Sequence, residues 1–178
     1  DIVFERNRYH QDLGDQSATP LQVALRVAAR NATIRNNVID GTGDGNDFTG
    51  IWVGLNGAEP AASGVAVYNN TIFRANNDVG NGRVGIAVGA EATSTVVRNN
   101  LISFPGATVP TAMIDDASAD LVEDHNLMTE TAGFVGATAL DPLARDFGLD
   151  ASSPALDSGA IVPVFEDLEG NPRDDGLI

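Results

Sequence analysis

The feature that most constrains this chain is a short phrase with two adjacent asparagines, which returns at nearly regular intervals. Its clearest copies are Ile-Arg-Asn-Asn-Val-Ile at 34–39, Val-Tyr-Asn-Asn-Thr-Ile at 67–72 and Val-Arg-Asn-Asn-Leu-Ile at 97–102. Less exact copies surround Asn126 and Asn7. The second asparagine of each copy falls at 7, 37, 70, 100 and 126, with intervals of 30, 33, 30 and 26 residues. Intervals of this size are typical of stacked repeats.

Each interval also contains a second short apolar run, at 23–25, 51–53, 86–88 and 112–114. These runs and the phrases are rich in valine and isoleucine, and Gly, Asn, Asp and Pro lie between them, as is typical of half-buried strands. The sequence contains neither convincing helical periodicity nor two-residue hairpin turns. We therefore expect parallel strands, stacked coil upon coil about 4.8 Å apart.

This pattern resembles the right-handed parallel β-helix of the pectate-lyase-like superfamily, over residues 1 to about 130. The resemblance implies an all-β fold, a right-handed parallel β-helix (β-solenoid) of about four to five coils. After Glu130 the phrase disappears, and residues 153–159 are similar to the tail that closes many secreted bacterial β-helix proteins. We predict coils in residues 1–130 and an irregular C-terminal capping segment in residues 131–178.

The two ends of the predicted β-helix present strands without partners. Residues 1–4 already have a strand pattern, and the aromatic strand that usually follows such a tail is missing. Unpaired strand edges are open to pairing with other strands. We expect these ends to be covered either by flanking segments of a larger protein or by head-to-tail self-association.

Asparagine has a physical reason to recur in the phrase. At a sharp turn between strands it tolerates a left-handed backbone, and identical amides on successive coils can form a ladder. Apolar residues three before and two after each second asparagine are predicted to form the stacked core. The predicted structural ladder consists of Asn37, Asn70, Asn100 and Asn126.

The residue two before each second asparagine is predicted to face outward. Mixed charge at strand spacing predicts a solvated ladder of ion pairs between coils, and a ligand face is the alternative. This column consists of Glu5, Arg35, Tyr68, Arg98 and Asp124.

Charge excludes nucleic acid as a partner. All ten basic residues are arginine, and the formal net charge is -15. Nucleic-acid binding needs a basic surface that displaces counterions from phosphates. No apolar run is long enough to span a bilayer.

The resemblance implies a ligand cleft along the strand face that contains Trp52, the single tryptophan. If Ile51 and Val53 point inward, Trp52 points outward, where an indole is a platform for a sugar ring. Alternatively, an insertion at 56–60 folds over the ring and buries it. The predicted outward column on this face is Ala24, Trp52, Ala87 and Met113.

Carboxylates and arginine near this face supply the other site candidates. Carbohydrate binding is assigned to Trp52, Arg26 and Asp115, and catalysis to Asp115 and Asp116. Two carboxyl groups about 5–9 Å apart would serve a glycosidase. For a lyase the resemblance implies a strong base, often arginine or lysine, aided by calcium. A solvated turn is the competing interpretation of the two aspartates.

One loop suggests calcium as a cofactor. Asp40, Asp44 and Asp47 alternate with glycine and other short residues, as in loops that wrap oxygen ligands around calcium. The match is partial, because Thr42 replaces a ligand and no glutamate closes the loop. A turn without metal is the alternative.

The sequence therefore predicts an extracellular or cell-surface β-helix that binds or processes polysaccharide. The alternative is a non-catalytic structural or adhesive β-helix that stacks end to end into assemblies.

Overall fold

The structure, a computed structural model, describes residues 1–10, 22–42, 47–54, 61–75, 83–106 and 111–173. Regular structure in these ranges is nearly all strand, and the predicted all-β fold is confirmed. Among the described residues, no helix is long and apolar enough to cross a membrane.

Three parallel sheets contain fourteen of the strands, numbered here in chain order. Sheet A holds the strands that precede the paired asparagines: β1 (Ile2–Glu5), β4 (Ala32–Arg35), β7 (Ala66–Tyr68), β10 (Val96–Arg98) and β13 (Val122–Asp124). Sheet B holds those that follow: β2 (Arg8–His10), β5 (Val38–Asp40), β8 (Thr71–Phe73), β11 (Leu101–Ser103) and β14 (Leu127–Thr129). Sheet C holds the second runs: β3 (Gln22–Val27), β6 (Phe48–Val53), β9 (Arg83–Val88) and β12 (Thr111–Asp116).

Each turn of the chain visits sheets C, A and B in that order, and every strand pairs in parallel with its counterpart in the next turn. The product is a parallel β-solenoid of about three turns. Its right-handed sense and a count of four to five coils stay predictions.

The interior is filled by columns of aliphatic side chains, one from each coil. Burying one such side chain contributes roughly 1.5–3 kcal/mol. The predicted core columns are confirmed in the middle of the stack, where no member is more than 2% exposed: Ile34, Val67 and Val97 in sheet A, and Ile39, Ile72 and Ile102 in sheet B.

The same columns are uncovered at the two ends of the stack. Phe4 and Tyr9 in the first coil are 40% and 39% exposed, and Met128 in the last is 46% exposed. Core positions at the ends therefore present apolar surface to solvent.

Beyond the coils, an antiparallel pair packs against the outer face of sheet B. It consists of β15 (Phe134–Gly136) and β16 (Asp146–Leu149), with a 3-10 turn at Pro142–Ala144 between them. Phe134 and Phe147 pack edge-on against Phe73, with ring centroids 5.7 and 5.3 Å away. Arg145 forms an ion pair with the fully buried Asp40. Aromatic packing and a buried ion pair thus hold the pair in place.

Residues 157–173, here called the strap, run back along the corner between sheets A and B. The backbone of Ala160 bonds Asn99, the carbonyl of Pro163 accepts from Arg35, and Glu166 pairs with Arg6 at 2.6 Å. The strap thus passes from the fourth paired-asparagine copy to the first. The predicted division into coils (1–130) and capping segment (131–178) stays a prediction, but this part of the segment lies along the side of the stack.

Candidate functional site

A single row across sheet C brings together the three residues predicted to bind carbohydrate. Strand register places Arg26 beside Trp52, Trp52 beside Ala87, and Ala87 beside Asp115. The predicted column with Ala24 and Met113 was wrong, since both lie two residues before their true counterparts. The prediction aligned the strands on the last residue of each apolar run, Leu25 and Ile114. Strands β3 and β12 extend two residues beyond these positions, to Val27 and Asp116, so the alignment was shifted by two.

Trp52 projects from the outer face of this sheet. Its neighbours Ile51 and Val53 are fully buried, whereas Trp52 is only half-buried, as alternation predicts. The guanidinium carbon of Arg26 lies 4.6 Å from the centre of the indole, within range of a cation–π interaction. The insertion at 56–60, which we considered as a cover for the ring, lies outside the described residues.

The indole Nε1 of Trp52 is buried but has no hydrogen-bond partner among the residues that the structure describes. A buried donor without a partner costs roughly 1–3 kcal/mol. The exposed Arg26 adds further N–H donors beside the ring. The pair therefore combines an apolar plate with guanidinium donors that an oxygen-rich ligand can use.

The catalytic candidates Asp115 and Asp116 end the same strand, β12. Their backbones pair with Ala87 and Val88. Their side chains lie outside the described part of the chain, so a carboxyl separation suited to hydrolysis stays a prediction.

The predicted calcium ligands do not assemble in the described residues. Asp40 is fully buried, and its carboxylate accepts from Arg145 and, at 3.0 Å, from the backbone N–H of Thr42. Asp47 is exposed, and Asp44 lies outside the described residues. In the described ranges no group of three or more His, Cys, Asp or Glu could hold a metal. Calcium binding by Asp40, Asp44 and Asp47 stays a prediction, and Asp40 already has protein donors on both oxygens.

The predicted asparagine ladder is present at the corner between sheets A and B. Nδ2 of Asn7 donates to Oδ1 of Asn37 at 3.0 Å, and the next three steps, through Asn70 and Asn100 to Asn126, are each 2.9 Å. The Oδ1 atoms of Asn37, Asn70, Asn100 and Asn126 also accept the backbone N–H of the ladder asparagine one repeat earlier, at 3.0–3.1 Å. The second asparagine of each copy thus gives hydrogen-bond partners to the amides above and below it and to backbone groups that are buried at the turn.

The left-handed backbone belongs to the residue before the ladder asparagine. Sequence reasoning assigned both the ladder and the tolerance of this backbone to one asparagine, but the structure divides them between neighbours. This first residue has φ between 52° and 59° on every coil: Arg6, Asn36, Asn69, Asn99 and His125.

The mixed-charge column on sheet A contains two ion pairs between neighbouring strands, with Tyr68 between the two pairs. Arg35 Nε lies 2.6 Å from a carboxylate oxygen of Glu5, and Arg98 pairs with Asp124. The hydrogen bond from Arg98, assisted by His125, holds the pKa of Asp124 below its ordinary value.

Sequence reasoning missed a cleft of about 460 Å³ between the strap and the A/B corner. Asn69, His125, Asp157 and Arg173 are among its polar lining residues. Partial burial lowers the pKa of Arg173. Nothing in the sequence predicted this cleft, because the strap has no repeat that would reveal where it packs.

Comparison with protein-family models, curated proteins and solved structures gave no match.

Proposed function

We propose that this protein is an extracellular or cell-surface β-helix of the pectate-lyase-like kind that binds polysaccharide along sheet C. The observation that supports this proposal is the row on which Arg26, Trp52 and Asp115 share one register. Three strand steps of about 4.8 Å separate the first and last of these residues, so an extended chain could contact the row at several points.

The chemistry of the row suits a sugar chain. An indole face packs on the apolar C–H face of a sugar ring, and a guanidinium binds hydroxyl or carboxylate oxygens. Arg26 lies over Trp52 without being buried, so it is available to a ligand that approaches the ring edge. Processing of the bound chain would be assigned to Asp115 and Asp116, as a glycosidase pair or with a basic group in a lyase.

Glycan binding by Trp52→Ala, Arg26→Gln and the parent protein tests the proposal, against a panel of uronate and neutral polysaccharides. We expect the parent to bind at least one glycan and Trp52→Ala to weaken that binding by about tenfold or more. Arg30→Gln is the matched control, because Arg30 is exposed but lies outside the row. Equal binding by Trp52→Ala and the parent, or no binding by the parent, would refute it.

A second candidate function, end-to-end stacking, is favoured by the two ends of the solenoid. Apolar core positions are exposed there, and the asparagine ladder has a direction. Among the described residues, Asn7 Oδ1 accepts no hydrogen bond, and Asn126 Nδ2 donates only to the carbonyl of Val97. One end of the ladder thus offers an acceptor and the other a donor, as head-to-tail stacking of copies requires.

Sedimentation velocity over a dilution series tests stacking. Stacked copies would give a sedimentation coefficient that rises with concentration, and Met128→Lys would abolish that rise by placing a charge on the exposed end. Thr93→Lys, exposed on the side of the stack, should leave it unchanged. A single monomeric species at every concentration would exclude this function.

A further inference from the structure

We propose that the cleft between the strap and the A/B corner binds a neutral saccharide of one or two units, with Asn69 as its central hydrogen-bonding residue. The cleft measures about 460 Å³, which is within the usual range for small-ligand sites. This site is independent of the proposed polysaccharide row, since none of its described lining residues belongs to sheet C.

The first asparagines at the corner differ in what they hold. Asn36 Nδ2 donates to the carbonyl of Glu166 at 2.5 Å, and its Oδ1 accepts from Arg173. Asn99 Nδ2 donates to the carbonyl of Ala160 at 2.6 Å, and its Oδ1 accepts from the N–H of that residue at 2.8 Å. Both amides thus use a donor and the acceptor oxygen to hold the strap.

Asn69 lies between these two residues and has the same left-handed backbone, with φ of 52°. Its Oδ1 is buried, yet no described residue bonds it. A buried amide oxygen without a partner destabilises the side-chain position that it occupies. Asn69 Nδ2 also donates to no described residue and, unlike Oδ1, it is not buried. Since Asn69 lines the cleft, its amide NH2 is left to a group that enters there.

The other open groups in the cleft favour a hydroxyl-rich ligand. The carboxylate of Asp157 accepts no hydrogen bond from any described residue, and His125 uses only Nδ1, toward Asp124. The Asp157 carboxylate needs a donor and the Asn69 NH2 group needs an acceptor, and a sugar hydroxyl is both. Anions are disfavoured by Asp157 and by the net charge of -15.

The remaining polar groups at the cleft already have partners. Asp167 accepts from the backbone and side chain of Asn171, at 2.7 and 2.9 Å. Arg173 donates to the carbonyl of Glu166 and to Asn36. Apolar lining from Leu127 and Val162 completes the mixed surface that a sugar ring, with its C–H face and hydroxyl rim, would match.

The test is titration of the full chain with maltose, cellobiose, lactose and mannobiose, followed by amide chemical shifts and calorimetry. We expect one or more of these sugars to shift the amides of Asn69, His125 and Ala160, with no shift along sheet C. Asn69→Gly removes the amide without straining the left-handed backbone, and we expect it to weaken binding by about tenfold. Ser94→Gly is the matched control, because Ser94 has the same φ of 52° and lies outside the cleft.

Binding of longer oligosaccharides of the same sugar shows whether the ligand is a free sugar or the end of a chain. A chain end predicts that the longer oligosaccharides also bind in the cleft. Trp52→Ala should leave binding in the cleft intact, so failure of the sheet C proposal and failure of this one are separable. No shift at the cleft with any of the four sugars would overturn the inference. It would also be overturned if Asn69→Gly bound as tightly as the parent.

Discussion

The corner between sheets A and B and the row on sheet C follow opposite rules. At the corner the same residue, asparagine, occupies the ladder position in five successive copies of the phrase, and each amide bonds the next. Along the row the residues are Arg26, Trp52, Ala87 and Asp115, with no type repeated. Both columns are stacked at the same spacing, so the difference comes from what surrounds each side chain.

Burial explains the contrast. Asn37, Asn70 and Asn100 are each 1% exposed, so every amide group must find a partner inside the protein. An amide in the same position supplies two donors and an accepting oxygen at each step, whereas a hydroxyl supplies a single donor. Side chains on the outer face of sheet C have solvent available and can differ from coil to coil. The repeated column therefore marks structural need, and the varied column marks where a ligand-binding surface can be built.

Breaking the ladder in its middle should have the largest effect. Asn70→Ala removes two donated and two accepted hydrogen bonds. It leaves the buried backbone N–H of Asn37 without its partner and takes one of two donors from Asn100 Oδ1. We expect the free energy of unfolding to fall by about 3–5 kcal/mol. Urea unfolding followed by circular dichroism measures it.

Asn126→Ala is the matched control at the end of the same ladder. Asn126 is only partly buried, so water can replace its lost bonds, and we expect less than half the cost of Asn70→Ala. Equal costs at the two positions would show that the ladder does not stabilise the fold through burial of its amides.

Sequence alone predicted the columns better than the surfaces that link them. The ladder and the core columns were predictable because burial forces a repeat at each coil. The row on sheet C was predicted with its correct face but two residues out of register at Ala24 and Met113, since apolar runs end before strands do. The strap and its cleft were not predictable, because one-off contacts such as Asn99 with Ala160 leave no period in the sequence.

A second prediction compares two asparagines that share one backbone conformation. Asn99→Gly removes both hydrogen bonds to Ala160, whereas Asn69→Gly removes no bond to any described residue. We expect Asn99→Gly to be less stable than Asn69→Gly by about 1–3 kcal/mol, since the cost of glycine itself cancels. Hydrogen exchange at the Ala160 amide should accelerate in Asn99→Gly alone. Similar exchange in both variants would show that the strap is held by other contacts.

On sheet C, Arg26→Gln should be much milder. Arg26 is exposed over a half-buried ring, so loss of the cation–π contact should cost about 0.5–1 kcal/mol. Fluorescence of the single tryptophan should shift to longer wavelength as water reaches the uncovered ring face. The exposed Arg30, changed to glutamine, should leave the spectrum unaltered. An unchanged spectrum in Arg26→Gln would show that the guanidinium does not cover the ring in solution.

The smallest effect is expected in the charged column of sheet A. Its side chains pair with those of neighbouring strands, as in the asparagine ladder, but they face solvent, as in the row on sheet C. Its clearest marker is Asp124, whose pKa is lowered by the hydrogen bond from Arg98 and then by His125. A lowered carboxyl pKa stabilises the fold above the pKa of the unfolded chain, and this contribution is lost as pH falls through the lowered value. In Arg98→Gln the pKa of Asp124 should therefore rise toward its ordinary value, and the acid dependence that it contributes should weaken.

Carboxyl chemical shifts followed through an acid titration measure this change. Asp150 is the internal control, because its lowered pKa comes from Ser152 and should not respond to Arg98. Since the pair is solvent-exposed, screening by salt should shrink the difference between parent and variant. If the pKa of Asp124 stays low in Arg98→Gln, the shift comes from His125. The charges of the column would then be independent of each other, like the side chains of the row on sheet C, and would not be coupled between neighbouring strands.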